Sequence, residues 1–308
     1  MKSYFLKRIT STLLILLGVL TLTFILIYLV PGDPVQNFTG QHADAQTLSS
    51  IRKELGLDRP LFYQWMQYIS NVLHGHLGRS YFTHENILKN LMERFPITFF
   101  LALLATLIGG LMGIPTGIFA AIRPHSIWDK GIMTLTLFAI SLPVFWMGIL
   151  ILIFASRLDT LPLLNTFSSL TFNLILAAFV LGIRPTALLS RITRNQMIEI
   201  LKEDYILSAR ARGLSQKRII LVHALRNALG PILTTLALDF GSLLSGAAIT
   251  ETIFGIPGIG KYALTGLGRR DYPVVMGMVL FSAFIFVTMN FIADMIIYTL
   301  NPKLRVKT

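Results

Sequence analysis

The chain has 308 residues, of which 54% are hydrophobic and only 14% charged, and its mean hydropathy is +0.66. A soluble domain carries roughly a quarter charged residues, so this composition excludes an ordinary soluble globule and points to lipid. The formal net charge of +12 would suit nucleic acid, but the Lys and Arg residues cluster between apolar runs, as they do in polytopic membrane proteins. Cysteine is absent, which removes disulfides, thiol nucleophiles and Cys-ligated metals.

In chain order, the first predicted element is a retained transmembrane helix. Ser11 to Val30 carries no charge and no small-residue cleavage site follows it. About 20 such residues cross a bilayer core, longer than the apolar part of a signal peptide. Residues 1–30 thus form an N-terminal tail and span 1. Residues 31–95 hold six basic and six acidic side chains and are punctuated by Pro, Gly and Asn. They read as an extracytoplasmic region containing an amphipathic helix over 60–75, started by Pro60.

Five further spans follow within residues 96–300. Span 2 lies between Pro96 and Arg123, span 3 between Lys130 and Arg157, and span 4 from about Leu161 to Leu189. Span 5 runs from about Leu229 to Thr250 and span 6 from about Pro273 to Leu300. The stretch "GGLMGIPTG" (109–117) supplies small residues that let helices approach closely. Residues 301–308 form a basic tail. Lys and Arg are far denser on the side of both termini, which predicts cytoplasmic termini. On that side residues 191–228 read as helix, glycine elbow at Gly213, then a helix capped by Ser215 that continues into span 5.

The segment "GIPGIGKY" (255–262) has the spacing of the phosphate-binding loop G-x-x-x-x-G-K-[ST]. Position 262 is Tyr rather than Ser or Thr, and no strand precedes the motif. The segment falls in an outward loop, away from ATP. Gly255, Pro257, Gly258 and Gly260 are therefore expected to form a tight turn in a loop that dips back toward the bundle.

Several stretches together resemble a known family: "LVPGDP" closing span 1, "GLDRPLFYQW" and "GHLGRS" in the outer region, and "YILSARARGLSQKRIILVHALRNALGPIL" in the cytoplasm. "ETIFGIPGIGKY", "RRDYPVV" and "LNPKLR" complete the set. The chain resembles, over nearly its whole length, the B-type membrane subunit of dipeptide, oligopeptide and nickel ABC importers. That resemblance implies an all-α polytopic fold of the type I ABC importer permease kind, in a bacterial inner membrane. It implies a second, C-type permease, two ATPase subunits and an extracytoplasmic substrate-binding protein as partners, and none with nucleic acid. ATP and Mg would be bound by the ATPases, leaving this chain without a cofactor, metal or catalytic residue.

The resemblance further implies that Glu203, Asp204, Tyr205, Ala209, Arg210, Ala211, Arg212, Gly213 and Leu214 couple the chain to the ATPases. Against the general coupling form E-A-A-x-x-x-G, only Ala209 and Gly213 match, the peptide branch being closer to "ARARGL". On that reading Ala209 and Ala211 seat in a partner groove while Arg210 and Arg212 meet its carboxylates.

Asp239 and Asp294 fall inside spans 5 and 6, where carboxylates are costly. Asp294 lies near a helix end and reads as structural. Asp239 either pairs with Arg184 or faces the pathway. His42, His74, His76 and His84 lie in the outer region, at a spacing that fits no tight metal site. Three alternatives to a peptide permease remain: a nickel or metal-chelate permease of the same class, a stand-alone secondary transporter or channel, and an intramembrane enzyme. The second lacks an internal repeat or charged relay, and the third lacks a catalytic constellation.

Overall fold

A computed structural model describes residues 2–29, 58–158 and 169–300. The first part of the expected outer region with His42, the start of expected span 4 and the tail 301–308 lie outside the described residues. Eleven helices are described: α1 (Lys2–Leu29), α2 (Leu61–Leu73), α3 (Ile87–Ile122), α4 (Ile127–Ser141), α5 (Val144–Leu158) and α6 (Ser169–Ile200). There follow α7 (Asp204–Ala211), α8 (Gln216–Leu244, with a π turn at Ile219–Ala224), α9 (Ala248–Ile253), α10 (Ile259–Gly268) and α11 (Tyr272–Leu300). Among the described residues there is no strand, only an isolated bridge between Arg79 and Asn86.

Five helices are long and apolar enough to cross a membrane alone: α1, α3, α6, α8 and α11. The sixth expected span is not straight. It is the pair α4–α5, bent by 99°. The cause is Pro143, which disfavours helical backbone at the preceding residue. Leu142 accordingly adopts φ −76°, ψ 132°. Each half has 15 residues, about 22 Å of helix, too short for a hydrocarbon core by itself. The boundaries of other spans also move. Helix α3 begins at Ile87, inside the region expected to lie outside the membrane, and α6 continues to Ile200. Span 5 ends at Leu244, with Thr250 in the separate helix α9.

The bundle is organised on the close pairing of α3 with α6. Gly109, Gly113 and Gly117 recur every four residues on one face of α3, as "GGLMGIPTG" predicts. A Cβ on Gly113 would lie 2.6 Å from the Thr186 carbonyl, and one on Gly117 2.5 Å from that of Ser190. Gly182 returns the contact from α6, where a Cβ would meet Ile108 at 2.9 Å. Three apolar cores surround this pair. The first gathers Leu189, Met197, Ile206, Ile219 and Ile232 at the end of the bundle that carries α7. The second joins Ile87, Leu91, Leu244, Ile259 and Phe281 at the opposite end. The third sets Phe254 and Ile256 against α3, α5 and α6.

Candidate functional site

The helix α7 stands between the ends of α6 and α8. Lys202, Glu203 and Asp204 turn the chain, and the Glu203 carbonyl accepts from the N–H groups of Ile206 and Leu207. The C-terminus closes with the bonding pattern of a Schellman motif. Gly213 N–H donates to the Arg210 carbonyl at 2.9 Å, and Leu214 N–H to that of Ala209 at 3.3 Å. Gly213 holds φ +76°, the left-handed conformation that the elbow demands. Leu214 then packs on the core below. The next helix starts at Gln216 as the sequence predicts, although the Ser215 side chain makes no capping bond.

The two faces of α7 differ sharply. Ile206 is 0% and Ala209 9% exposed, anchored in the chain's own core, whereas Tyr205 is 43% and Leu207 51% exposed. Ala211, Arg210, Arg212, Glu203 and Asp204 are also exposed. The expected role of Ala209 therefore changes: it seats inward under α7, not outward, because it lies on the same face as Ile206, three residues before it. The outward apolar knobs are Tyr205 and Leu207. Asn227 Nδ2 donates to the Tyr205 hydroxyl at 2.8 Å, linking α7 to α8 just beyond the π turn.

On the opposite end, α9, the turn 254–258 and α10 fold into a hairpin whose tip returns into the bundle. Phe254 is 2% and Ile256 0% exposed. The glycines of this turn have distinct causes. Gly255 has φ +69°. A Cβ on Gly258 would come within 2.5 Å of Glu251 Oε2 and Thr98 Oγ1, and one on Gly260 within 2.6 Å of the Ala248 Cα. Here the resemblance to a phosphate loop is resolved. Helix α10 does start within the motif, at Ile259, but the group that meets its first N–H donors is the protein's own Glu251 carboxyl. Glu251 Oε2 accepts from Lys261 N–H at 2.8 Å, Glu251 Oε1 from Thr98 Oγ1 at 2.8 Å, and Thr98 Oγ1 in turn accepts from Ile259 N–H at 3.0 Å. Glu251 is fully buried. Burial pushes its carboxyl above the ordinary 4.5, while the N–H groups of Lys261 and Gly260 and the Thr98 hydroxyl pull it back.

Glu251 and Thr98 escape sequence reasoning. So does Asp129, 2% exposed at the start of α4, which takes a bidentate contact from Arg194 of α6: Nε to Oδ1 at 2.6 Å and Nη2 to Oδ2 at 2.7 Å. It also accepts from His125 N–H at 2.8 Å. Asp271, 3% exposed before α11, accepts from Ser80 Oγ and from Tyr81 N–H, tying the outer region to the last span. Burial and then the Asp271 charge push the Tyr81 phenol up to about 12. Asp129 beside Lys130 and Asp271 beside Arg269 and Arg270 look in the sequence like ordinary loop charges, and nothing there names their partners.

Of the intramembrane candidates, Asp239 lies on α8 and Arg184 on α6, near enough to act on each other electrostatically but not in contact. Asp294 lies in α11, and its side chain is outside the described residues. His74 Nδ1 bonds its own helix at the Ser70 carbonyl, and among the described residues no three His, Asp or Glu side chains converge as a metal site.

Residues 1–102 match the N-terminal membrane component, and residues 113–306 the inner membrane component, of binding-protein-dependent transport systems. The chain is 40% identical to the di/tripeptide transport system permease protein DppB of Pseudomonas aeruginosa, covering 99% of each chain. It is 36% identical to the dipeptide transport system permease protein DppB of Escherichia coli K12, covering 100% of each. The solved MetNI methionine ABC transporter, in inward-facing conformations, aligns with TM-score 0.56 at 20% identity over 68% of this chain and 96% of that one, a likeness of fold. A chain whose described residues form a helical bundle with five single spans and one bent pair, matched by these family models over residues 1–102 and 113–306, belongs to the binding-protein-dependent transport system inner membrane component family: it is a permease subunit of an ABC importer, not an enzyme.

Proposed function

We propose that this permease imports di- or oligopeptides, forming half of a pathway completed by a second, similar permease. Two separate ATPases drive it from the cytoplasm, and an extracytoplasmic binding protein delivers the peptide. ATP and Mg belong to the ATPases, and both termini lie in the cytoplasm. The full-length relatives named for di/tripeptide and dipeptide transport favour peptide over nickel as cargo.

The observation that carries the coupling role is the two-sided helix α7. Its inner face is locked into the core by Ile206 and Ala209, while Tyr205 and Leu207 stand exposed among Arg210 and Arg212. An apolar knob ringed by cations is suited to a groove rimmed by carboxylates. Force on α7 reaches α8 through Gly213 and the Tyr205–Asn227 bond. The test is affinity purification of the tagged permease from its native membrane. It should bring down two ATPase chains and a sister permease, and Leu207→Asp should release the ATPases while keeping the sister. A permease that purifies without ATPases, yet supports uptake, contradicts the proposal.

A further inference from the structure

Among the described residues, Asp239 and Arg184 are intramembrane charges without an ion-pair partner. Asp239 Oδ2 is buried and makes no hydrogen bond, and the Arg184 side chain is exposed. Two adjacent glycines of α3 bring both to a similar depth. A Cβ on Gly109 would meet Pro185, the neighbour of Arg184, and one on Gly110 would lie 3.8 Å from Leu236, one turn before Asp239. Arg184 sits roughly 120° round α6 from Phe179, Ile183 and Thr186, which line the apolar groove against α4. Beside Asp239, helix α8 exposes Pro231, Leu238 and Ser242. A bare guanidinium cannot face hydrocarbon without a large penalty, so this side of α6 and α8 borders water or protein rather than lipid.

We infer that Asp239 and Arg184 form a fixed carboxylate–guanidinium couple lining the translocation pathway, which receives the two ends of a zwitterionic short peptide. Asp239 meets the α-ammonium group and Arg184 the α-carboxylate. The inference rests on the peptide-importer reading above. Its chemical basis is complementarity: a peptide carries opposite charges a few bonds apart, and moving them through a low-dielectric passage demands opposite charges on the wall. The guanidinium offers a planar fork that matches a carboxylate. Because the two side chains do not contact each other, each keeps its capacity for a ligand. An ion pair in direct contact would have to be broken first.

The chain's lack of cysteine makes the test direct. The complete importer, with partner subunits freed of reactive thiols, is reconstituted in proteoliposomes with its binding protein and assayed for uptake of radiolabelled alanyl-alanine. Arg184→Gln and Asp239→Asn should each lower uptake at least ~10-fold, as expected for removing one member of a desolvated charge contact. Arg184→Lys and Asp239→Glu should retain most of it, and ATPase stimulation by the loaded binding protein should survive in all four. In Arg184→Cys and Asp239→Cys complexes, a charged methanethiosulfonate reagent should label the new thiol, and added alanyl-alanine with binding protein should slow that labelling. Wild-type uptake with undiminished Arg184→Gln and Asp239→Asn variants overturns the couple, as does loss of the sister permease from either variant, which would make the charges an intersubunit contact. Failure of the wild-type complex to import alanyl-alanine overturns the substrate reading instead.

Discussion

On the proposed coupling role, Gly213 is the residue whose backbone matters most. Its φ of +76° is closed to proline, and its N–H is spent on the Arg210 carbonyl. Gly213→Pro should abolish uptake and leave ATP hydrolysis unresponsive to the loaded binding protein, while the complex still co-purifies. Gly213→Ala meets no atom within 4 Å, so its cost is only the left-handed backbone, about 1–2 kcal/mol, and uptake should be reduced rather than lost. Glu251 carries a different prediction. Its carboxyl is raised in the fold, so the folded loop holds its proton more tightly than the unfolded chain does. That stability is fully present below the ordinary 4.5 and is lost as pH rises through the raised value. Amide exchange at Ile259 and Lys261, corrected for intrinsic rates, should show protection falling over that window and then levelling. Glu251→Gln, which mimics the protonated acid, should flatten the curve, and an unchanged curve would assign the dependence elsewhere. The sequence makes the turn residues Gly255, Pro257, Gly258 and Gly260 legible because backbone geometry is local. It hides Glu251 because its partner Thr98 lies in another helix, 153 positions away.

Among elements, the α3–α6 pair shows what periodicity can and cannot convey. A glycine every four residues announces a close helix contact, but not which helix supplies it. Gly113→Leu would drive carbon into the Thr186 carbonyl and the Leu189 Cβ, both within 3.0 Å of a modest Cβ. The cost is at least the 1–3 kcal/mol typical of overpacking, so the detergent-solubilised protein should melt several degrees lower, whereas Gly131→Leu, with nothing within 4 Å, should not shift it. Apolar length alone marks span 3, and only the Leu142–Pro143 step carries its bend. The salt bridge between α4 and α6 is likewise nonlocal. Arg194 reads as one more cytoplasmic cation, yet it neutralises the buried Asp129. Arg194→Ala should destabilise by about 3–5 kcal/mol, since it leaves the buried Asp129 unpaired, and Asp129→Ala by less, since the partly exposed Arg194 can turn to solvent. The double variant should cost much less than the sum, a cycle measurable by thermal unfolding in detergent.

Across the whole molecule, the two ends of the bundle are built differently. At the one, α7 stands on a rigid core and offers its exposed face. At the other, the hairpin 248–268 plugs Phe254 and Ile256 into the same bundle that α7 rests on. The motif that suggested nucleotide chemistry is filled by Glu251, so its N–H groups have no capacity left for a phosphate. On the coupling role proposed above, work enters through α7, where Ile206 and Ala209 join the core formed by Met197 of α6 and Ile219 and Ile232 of α8. A push on α7 thus shifts α6 and α8 together, the two helices that carry Arg184 and Asp239. Purified alone in vesicles, the chain should hydrolyse no ATP and leave alanyl-alanine where it began, on either side of the membrane. Adding the sister permease and ATPases should restore hydrolysis, and adding the loaded binding protein should start uptake. Leu207→Asp should undo both steps, because it places a charge on the more exposed of the two apolar knobs of α7, Leu207 and Tyr205. Unaided movement of peptide by the single chain would show instead that the pathway opens without a motor.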